Sequence, residues 1–374
     1  MKHLIYADNA ATTQMDVDVF EAMKPYLLHE YGNASQPYLF ARQPKKAIQE
    51  ARETIASCIG ALPEEIYFTS GGTESDNWAI KGIAFRNYDH RATITTAFEH
   101  HAVLHACEAI ERLGCPVAYM LPDKRGFVSP DSLERYITDE TFLVSVMYAN
   151  NELGSIQPIK ELCKVAHDHG ALFHTDAVQA VGHVAINVND LGVDMLSASA
   201  HKFNGAKGVG FLYIRTGTTL PPYADGGAQE HGLRAGTENV AGIVSMAVAL
   251  KKNVNDLDKN QRHILKLEGL LLQALNKSGI PYVRNGGDHT LPGVISLSFD
   301  GKDGEAILHR MDLMGVCIST GSACDSKNTE ISHVLQAIRM PESLAKGTIR
   351  ISLGKNNTAD DIDTIVTALR KILL

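Results

Sequence analysis

Lys202 stands in the run Ser199-Ala200-His201-Lys202-Phe203-Asn204-Gly205, directly after the apolar stretch DMLSA. A lysine desolvated at a strand end has a lowered pKa, which is what Schiff-base formation with an aldehyde requires. Three other apolar stretches also end in residues that can do chemistry. EIYF runs into Thr69-Ser70-Gly71-Gly72-Thr73-Glu74, where glycines before a helix start offer free N–H groups and a positive dipole end to an anion. The same residues also read as a glycine turn with a capping box between Thr73 and Asp76. ALFH runs into Thr175-Asp176, and an aspartate there is costly unless it meets a cation or hydrogen-bond donors. TTAF runs into Glu99-His100-His101; an imidazole so placed can stack on a ring or move a proton, or simply fill a core.

Taken together these pieces fit one ligand. The lysine suits an aldehyde, the glycine-rich helix start a phosphate, and the aspartate a ring nitrogen. Pyridoxal 5'-phosphate has all three, and its protein sites use a lysine and an acidic partner for the pyridine nitrogen. Hydride transfer lacks its GxGxxG signature, and metal hydrolysis lacks a ligand set of suitable spacing.

The elements that must position these residues are legible as an alternation. Short apolar runs (EIYFTS, ATITTA, PVAYML, TFLVSVMYA, ALFHTDA, DMLSASA, VGFLYI) alternate with amphipathic helical stretches over the first two thirds of the chain. That rhythm predicts a mainly parallel sheet of about seven strands with helices on both faces, its site beyond the strands' carboxyl ends. From 258 onward a long charged helix, the strands GVISLSF, GVCIST and GTIRISLG, and the helices GEAILHRMDL and ADDIDTIVTALRKIL form a smaller α+β unit. The expected division is a large domain over 14–257 and a small one built from 1–13 and 258–374.

Composition narrows the class. Of 374 residues, 44% are hydrophobic and 21% charged, the profile of a globular chain with a sizeable core. A net charge of −8 leaves no general basic footprint for nucleic acid. No run reaches membrane-spanning length and no secretory segment opens the chain, so the cytoplasm is the expected compartment. Six scattered cysteines without a CxxC pair argue against disulfides and structural zinc. Five sit in apolar or amphipathic surroundings. Cys324 differs, because it precedes the polar run Asp325-Ser326-Lys327-Asn328-Thr329-Glu330.

With these residues in hand, the chain resembles the cysteine desulfurases of the nitrogen-fixation and iron–sulfur-cluster type, class V members of the fold-type I pyridoxal-phosphate enzymes. The matching motifs run end to end: ADNAATT at 7–13, SGGTESDN at 70–77, EHHAVL at 99–104, NNELGSIQPI at 150–159 and HTDAVQ at 174–179. They continue with SASAHKFNGAKGVG at 197–210, GGAQEHGLRAGTEN at 226–239, STGSAC at 319–324 and TIRISLG at 348–354. The resemblance implies that Lys202 holds the cofactor and later moves protons. Asp176 would pair with the ring nitrogen, Gln179 with the ring hydroxyl, and His100 would stack on the ring. Gly72, Thr73, Ser199 and His201 would hold the phosphate, with Thr237 reaching in from a second subunit. Asn151 and Arg350 would bind the substrate carboxylate, with Asn33 as a further candidate. Tyr38, His231 and Ile331 depart from the family's usual histidine, arginine and proline.

Cys324 separates the readings within this family. Transamination needs the lysine site but no loop thiol. A desulfurase needs a thiolate to take the sulfur of L-cysteine as a persulfide, leaving alanine, and a loop (about 321–332) to carry it to an acceptor. The resemblance places that loop in the long-loop group and implies a homodimer that delivers sulfur to a protein such as an iron–sulfur scaffold or a thiolation enzyme. A selenocysteine-lyase-like enzyme and a non-catalytic sulfur-transfer scaffold are the alternatives.

Overall fold

The computed structural model describes residues 4–86, 92–320 and 331–374. Among the described residues, twelve strands form three sheets. The large one contains β2 (Ile66–Thr69), β3 (Ala92–Thr96), β4 (Val117–Met120), β5 (Thr141–Ser145), β6 (Leu172–Asp176), β7 (Met195–Ser199) and β8 (Gly210–Ile214). Its order is β2-β8-β7-β6-β5-β3-β4. All neighbours are parallel except β8, which runs antiparallel to both β2 and β7. The seven apolar runs read from the sequence are these seven strands.

Both faces of this sheet are buried, and its residues divide between them by strand periodicity. Val144, Leu196, Phe211 and Tyr213 pack into one core with the helices Arg42–Ile59, Ile159–Asp168 and Val240–Asn255. Their neighbours Leu143, Met195, Leu212 and Ile214 pack into another with Gly72–Arg86 and His101–Glu111. The result is three layers, helix on sheet on helix, and it leaves the strand ends open along one edge.

A separate core unites Ile5 and Ala7 with the long helix Leu257–Ser278, the strands β10 (Val294–Ser298) and β12 (Thr348–Ser352), and the helices Gly304–Leu313 and Ala359–Leu373. β10 pairs antiparallel with β12 and with β9 (Val283–Asn285), a strand the sequence reading did not mark. β1 (Ile5–Tyr6) pairs parallel with β11 (Val316–Cys317). Beyond β11, Ser319 and Arg350 exchange backbone hydrogen bonds of 3.0 and 2.7 Å. Among the described residues no helix is long and apolar enough to cross a membrane.

Candidate active site

The strand ends surround a cleft of about 460 Å³. Lys202 enters it from the short 3-10 turn Ala200–Lys202 that follows β7. Its Nζ donates to the carbonyls of Ala10 and Ala11 at 2.6 and 2.8 Å, so the N-terminal segment forms part of the wall. Gln179 also lines the cleft and donates to Ala10 at 3.0 Å.

Asp176 is the last residue of β6 and is buried. Its Oδ1 accepts from the Val178 N–H at 2.9 Å. Burial pushes its carboxyl up to about 6, against the pull of that N–H and of Lys202. His100 caps the helix His101–Glu111, its Nδ1 accepting from the Ala102 N–H at 3.1 Å. This bond puts the neutral ring's proton on Nε2. Burial, followed by the charge of Lys202, lowers its pKa to about 4.

The candidate anion cradle is a helix start. Gly72 opens Gly72–Arg86, and the first-turn N–H groups have no acceptor within the helix. A Cβ on Gly72 would stand 2.5 Å from Val178 Cγ2, so only glycine lets this turn approach β6 so closely. Thr73, the buried Ser199 and the half-buried His201 line the same end. His201 is oriented by Thr12 Oγ1 at 3.1 Å. Glu74, the anion nearest this cradle in sequence, is held by the Arg234 guanidinium at 2.9 and 3.2 Å. The capping box read between Thr73 and Asp76 is not formed. Gly72 and Thr73 lie inside the helix, Glu74 accepts from the Ser70 N–H at 3.1 Å, and Asp76 is buried with an unpaired Oδ1.

Asn151 lines the cleft, whereas its neighbour Asn150 is the turn former, accepting from the Glu152 and Leu153 N–H groups at 2.9 Å. Arg350 is 4% exposed. Its Nη1 donates to the Asn151 carbonyl at 2.8 Å and its Nη2 to Asp8 Oδ1 at 2.7 Å, while Nε is buried without a partner. Arg350 therefore meets the cleft through Asn151 rather than lining it. Asn33 lies outside it too, its Oδ1 accepting from the Ser35 N–H at 2.9 Å. Thr237 is exposed and absent from the cleft of its own chain. Cys324 and most of the polar loop lie outside the described residues.

Sequence reasoning missed Asp8 and Thr12 as parts of this site. Asp8 and Thr12 belong to the ADNAATT motif, the available signal, but nothing in that motif says it packs against Arg350 and His201.

The residues present fit pyridoxal phosphate: an anion-binding turn, a lysine, and a buried carboxylate facing that lysine gather in one cleft. Fold and site together define a fold-type I pyridoxal-phosphate enzyme. The chain belongs to the class V aminotransferase family, which matches residues 5–365. It is 48% identical over 375 residues to a cysteine desulfurase IscS of Dictyoglomus turgidum, covering 100% of this chain and 95% of that protein. A solved structure named NifS-like protein superposes with a TM-score of 0.94 at 37% identity, covering 99% of both chains. The structure described as SspA in complex with cysteine gives 0.85 at 37% identity, covering 95% of this chain and 100% of that one.

Proposed function

We propose that this chain is a cysteine desulfurase that converts L-cysteine to L-alanine and passes the sulfur through Cys324 to an acceptor protein. The observation that carries the reading is the convergence of Lys202, Asp176, His100 and the Gly72 helix start on one cleft, beside a buried arginine with an unpaired Nε. When bound, pyridoxal phosphate supplies the electron sink that labilises bonds at the substrate's α-carbon.

The chain's own residues do the rest. Gly72, Thr73, Ser199 and His201 hold the phosphate, and Gln179 faces the ring hydroxyl. Asp176 holds the ring nitrogen's proton. His100, kept neutral, offers a flat face to the ring and a proton on Nε2. Lys202 holds the aldehyde carbon and afterwards moves protons. Arg350 takes the substrate carboxylate beside Asn151, with Asn33 as the more distant candidate. The Cys324 thiolate attacks the substrate sulfur and retains it as a persulfide; the bond between that sulfur and the β-carbon breaks, and its electron pair stays with the carbon fragment, which is protonated and released as alanine.

Two further assignments belong to this reading. Thr237 has a phosphate to reach only in a second copy of the chain, which makes the working unit a homodimer. The expected division into a large domain over 14–257 and a small one from 1–13 and 258–374 is kept in this reading; the core of Ile5, Ala7 and the C-terminal elements supports it, although Val334, Leu335 and Ala345 pack with the large sheet. The acceptor is a thiol-bearing protein such as an iron–sulfur scaffold or a thiolation enzyme.

The test is alanine release from L-cysteine by the cofactor-loaded protein. Cys324→Ala should keep the visible absorbance of the cofactor and lose turnover. Undiminished alanine release by that variant would refute the role of Cys324, and a purified wild-type protein that binds no pyridoxal phosphate would refute the reading as a whole.

A further inference from the structure

Behind Asp176 lies a cluster that the proposed reaction does not use. Residues two apart on a strand share a face, so β6 presents His174 and Asp176 on the same side. The first turns of Gly72–Arg86 bring Asp76 to that side. Asp76 is 1% exposed, its Oδ1 has no hydrogen-bond partner, and that oxygen lies 3.7 Å from His174 Nε2. His174 is itself fully buried. Its two ring nitrogens are already engaged, Nδ1 with Ser145 Oγ at 2.9 Å and Nε2 with Ser197 Oγ at 3.0 Å. Two hydroxyls satisfy a neutral imidazole completely, one accepting and one donating. Burial lowers the His174 pKa to about 3, so the ring brings Asp76 no positive charge.

Charge balance then decides where the protons sit. Among the described residues, the groups facing Asp76 are Asp176, Glu99, the Ser197 hydroxyl and the His174 ring. Glu99, on the other side of the cluster, accepts from Thr96 Oγ1 at 2.6 Å and the Met147 N–H at 2.9 Å, and burial pushes it up to about 8. Asp176 alone faces both an amide N–H and Lys202. Adjacent buried carboxyls do not ionise together, and the anion settles where a cation and a donor meet it.

We propose that Asp76 carries a proton and serves as a positioning residue behind Asp176, so that the two carboxyls hold one negative charge between them. This rests on the assignment of Asp176 to the ring nitrogen. One charge matches the one proton of a pyridinium; a second anion would oppose the phosphate-bearing cofactor. Burial, and after it the charge of Asp176, drives the Asp76 carboxyl well above its ordinary range, in the direction the geometry requires.

The first measurement uses the cofactor-free chain labelled with 13C at the aspartate carboxyls. Near pH 7 its infrared spectrum should contain a carboxylic-acid C=O band that Asp76→Asn removes and Asp176→Asn retains. In parallel, 15N shifts of His174 in the wild-type chain should be those of a neutral ring, a readout that needs no variant to fold. In the second measurement, equilibrium dialysis of pyridoxal phosphate, Asp76→Asn should hold its affinity within about threefold of wild type, less than the tenfold that 1.4 kcal/mol represents. Asp176→Asn should weaken binding far more. No acid band in the wild-type chain, or an imidazolium signature at His174, would overturn the proposal in favour of a buried Asp76–His174 ion pair. An intact band with unaltered cofactor affinity in Asp176→Asn would instead refute the assignment of Asp176 and leave the protonated Asp76 standing.

Discussion

Replacing Arg350 with lysine keeps a positive charge and removes the planar fork. In the folded chain Nη1 is committed to the Asn151 carbonyl and Nη2 to Asp8, so the buried Nε–H is the donor without a partner. A substrate carboxylate arriving there gains a charge-assisted hydrogen bond, a contact of about 1.5–3 kcal/mol. Because each 1.4 kcal/mol is about tenfold in affinity, Arg350→Lys should raise KM for L-cysteine by about ten- to a hundredfold. The carboxylate does not react, so the contact is equally strong in ground and transition states, and kcat should change little. Alanine release measured against cysteine concentration provides both constants. Cysteamine, which lacks the carboxylate, serves as the control: any turnover of it should be insensitive to the substitution. An unchanged KM with a reduced kcat would refute the argument and make Arg350 a support for the reacting groups instead.

Two expectations concern stability. Glu230 and Arg52 form a buried ion pair, with the guanidinium on both carboxylate oxygens at 2.6 and 2.9 Å and also over the Phe68 ring. Glu230→Gln strands that guanidinium and should cost about 3–5 kcal/mol in urea unfolding, with Arg52→Met in the same chain recovering part of the loss. A cost below about 1 kcal/mol, the range of surface pairs, would contradict it. His167 is bonded to Asp194 at 2.8 Å, and that bond, followed by its contact with Cys163, raises its pKa to about 10 from 6.5. The folded state therefore holds this proton more tightly than the unfolded one. Its contribution is fully present below pH 6.5 and is lost as pH rises through about 10. The gap in urea midpoint between wild type and His167→Gln should be widest in mild acid and close toward pH 10; a gap constant with pH would place the value of His167 in packing.

The parts of this molecule legible in the sequence are those with a local cause. Apolar runs of strand length announced β2 to β8, and the segments GEAILHRMDL and ADDIDTIVTALRKIL are helices from first residue to last. Lys202, Asp176, His100 and Gly72 could be picked out as candidates because each stands at or just past the end of a strand, where such sheets place their ligands. What stayed hidden is set by long-range packing. The reversed direction of β8 leaves no mark on its own apolar run. Asp76 read as a capping residue because its spacing from Thr73 suited one, and only the approach of the helix to β6 buries it. Glu230 and His231 adopt left-handed backbone angles, φ of 47° and 58°, although neither residue type signals it. Glu230 is tied there by its ion pair to Arg52, and His231 packs edge-on against Tyr67. Arg350 was read as a carboxylate binder, but its partner Asp8 lies 342 positions away and no spacing rule connects them.

That separation matters before the protein is finished. The Ile5–Tyr6 strand leaves the ribosome long before its partner Val316–Cys317 and the residues that bind Asp8 and Asn9, Arg350 and Ser352. Until those residues emerge, the Ile5–Tyr6 segment has no strand to join, and the wall of the lysine pocket that Ala10 and Ala11 supply must wait for it. The large sheet can assemble as its strands emerge, but the pocket closes last, when the C-terminal strands arrive to pin the beginning of the chain. Loading of the cofactor becomes in effect a report that the strands Val316–Cys317 and Thr348–Ser352 have been made and docked.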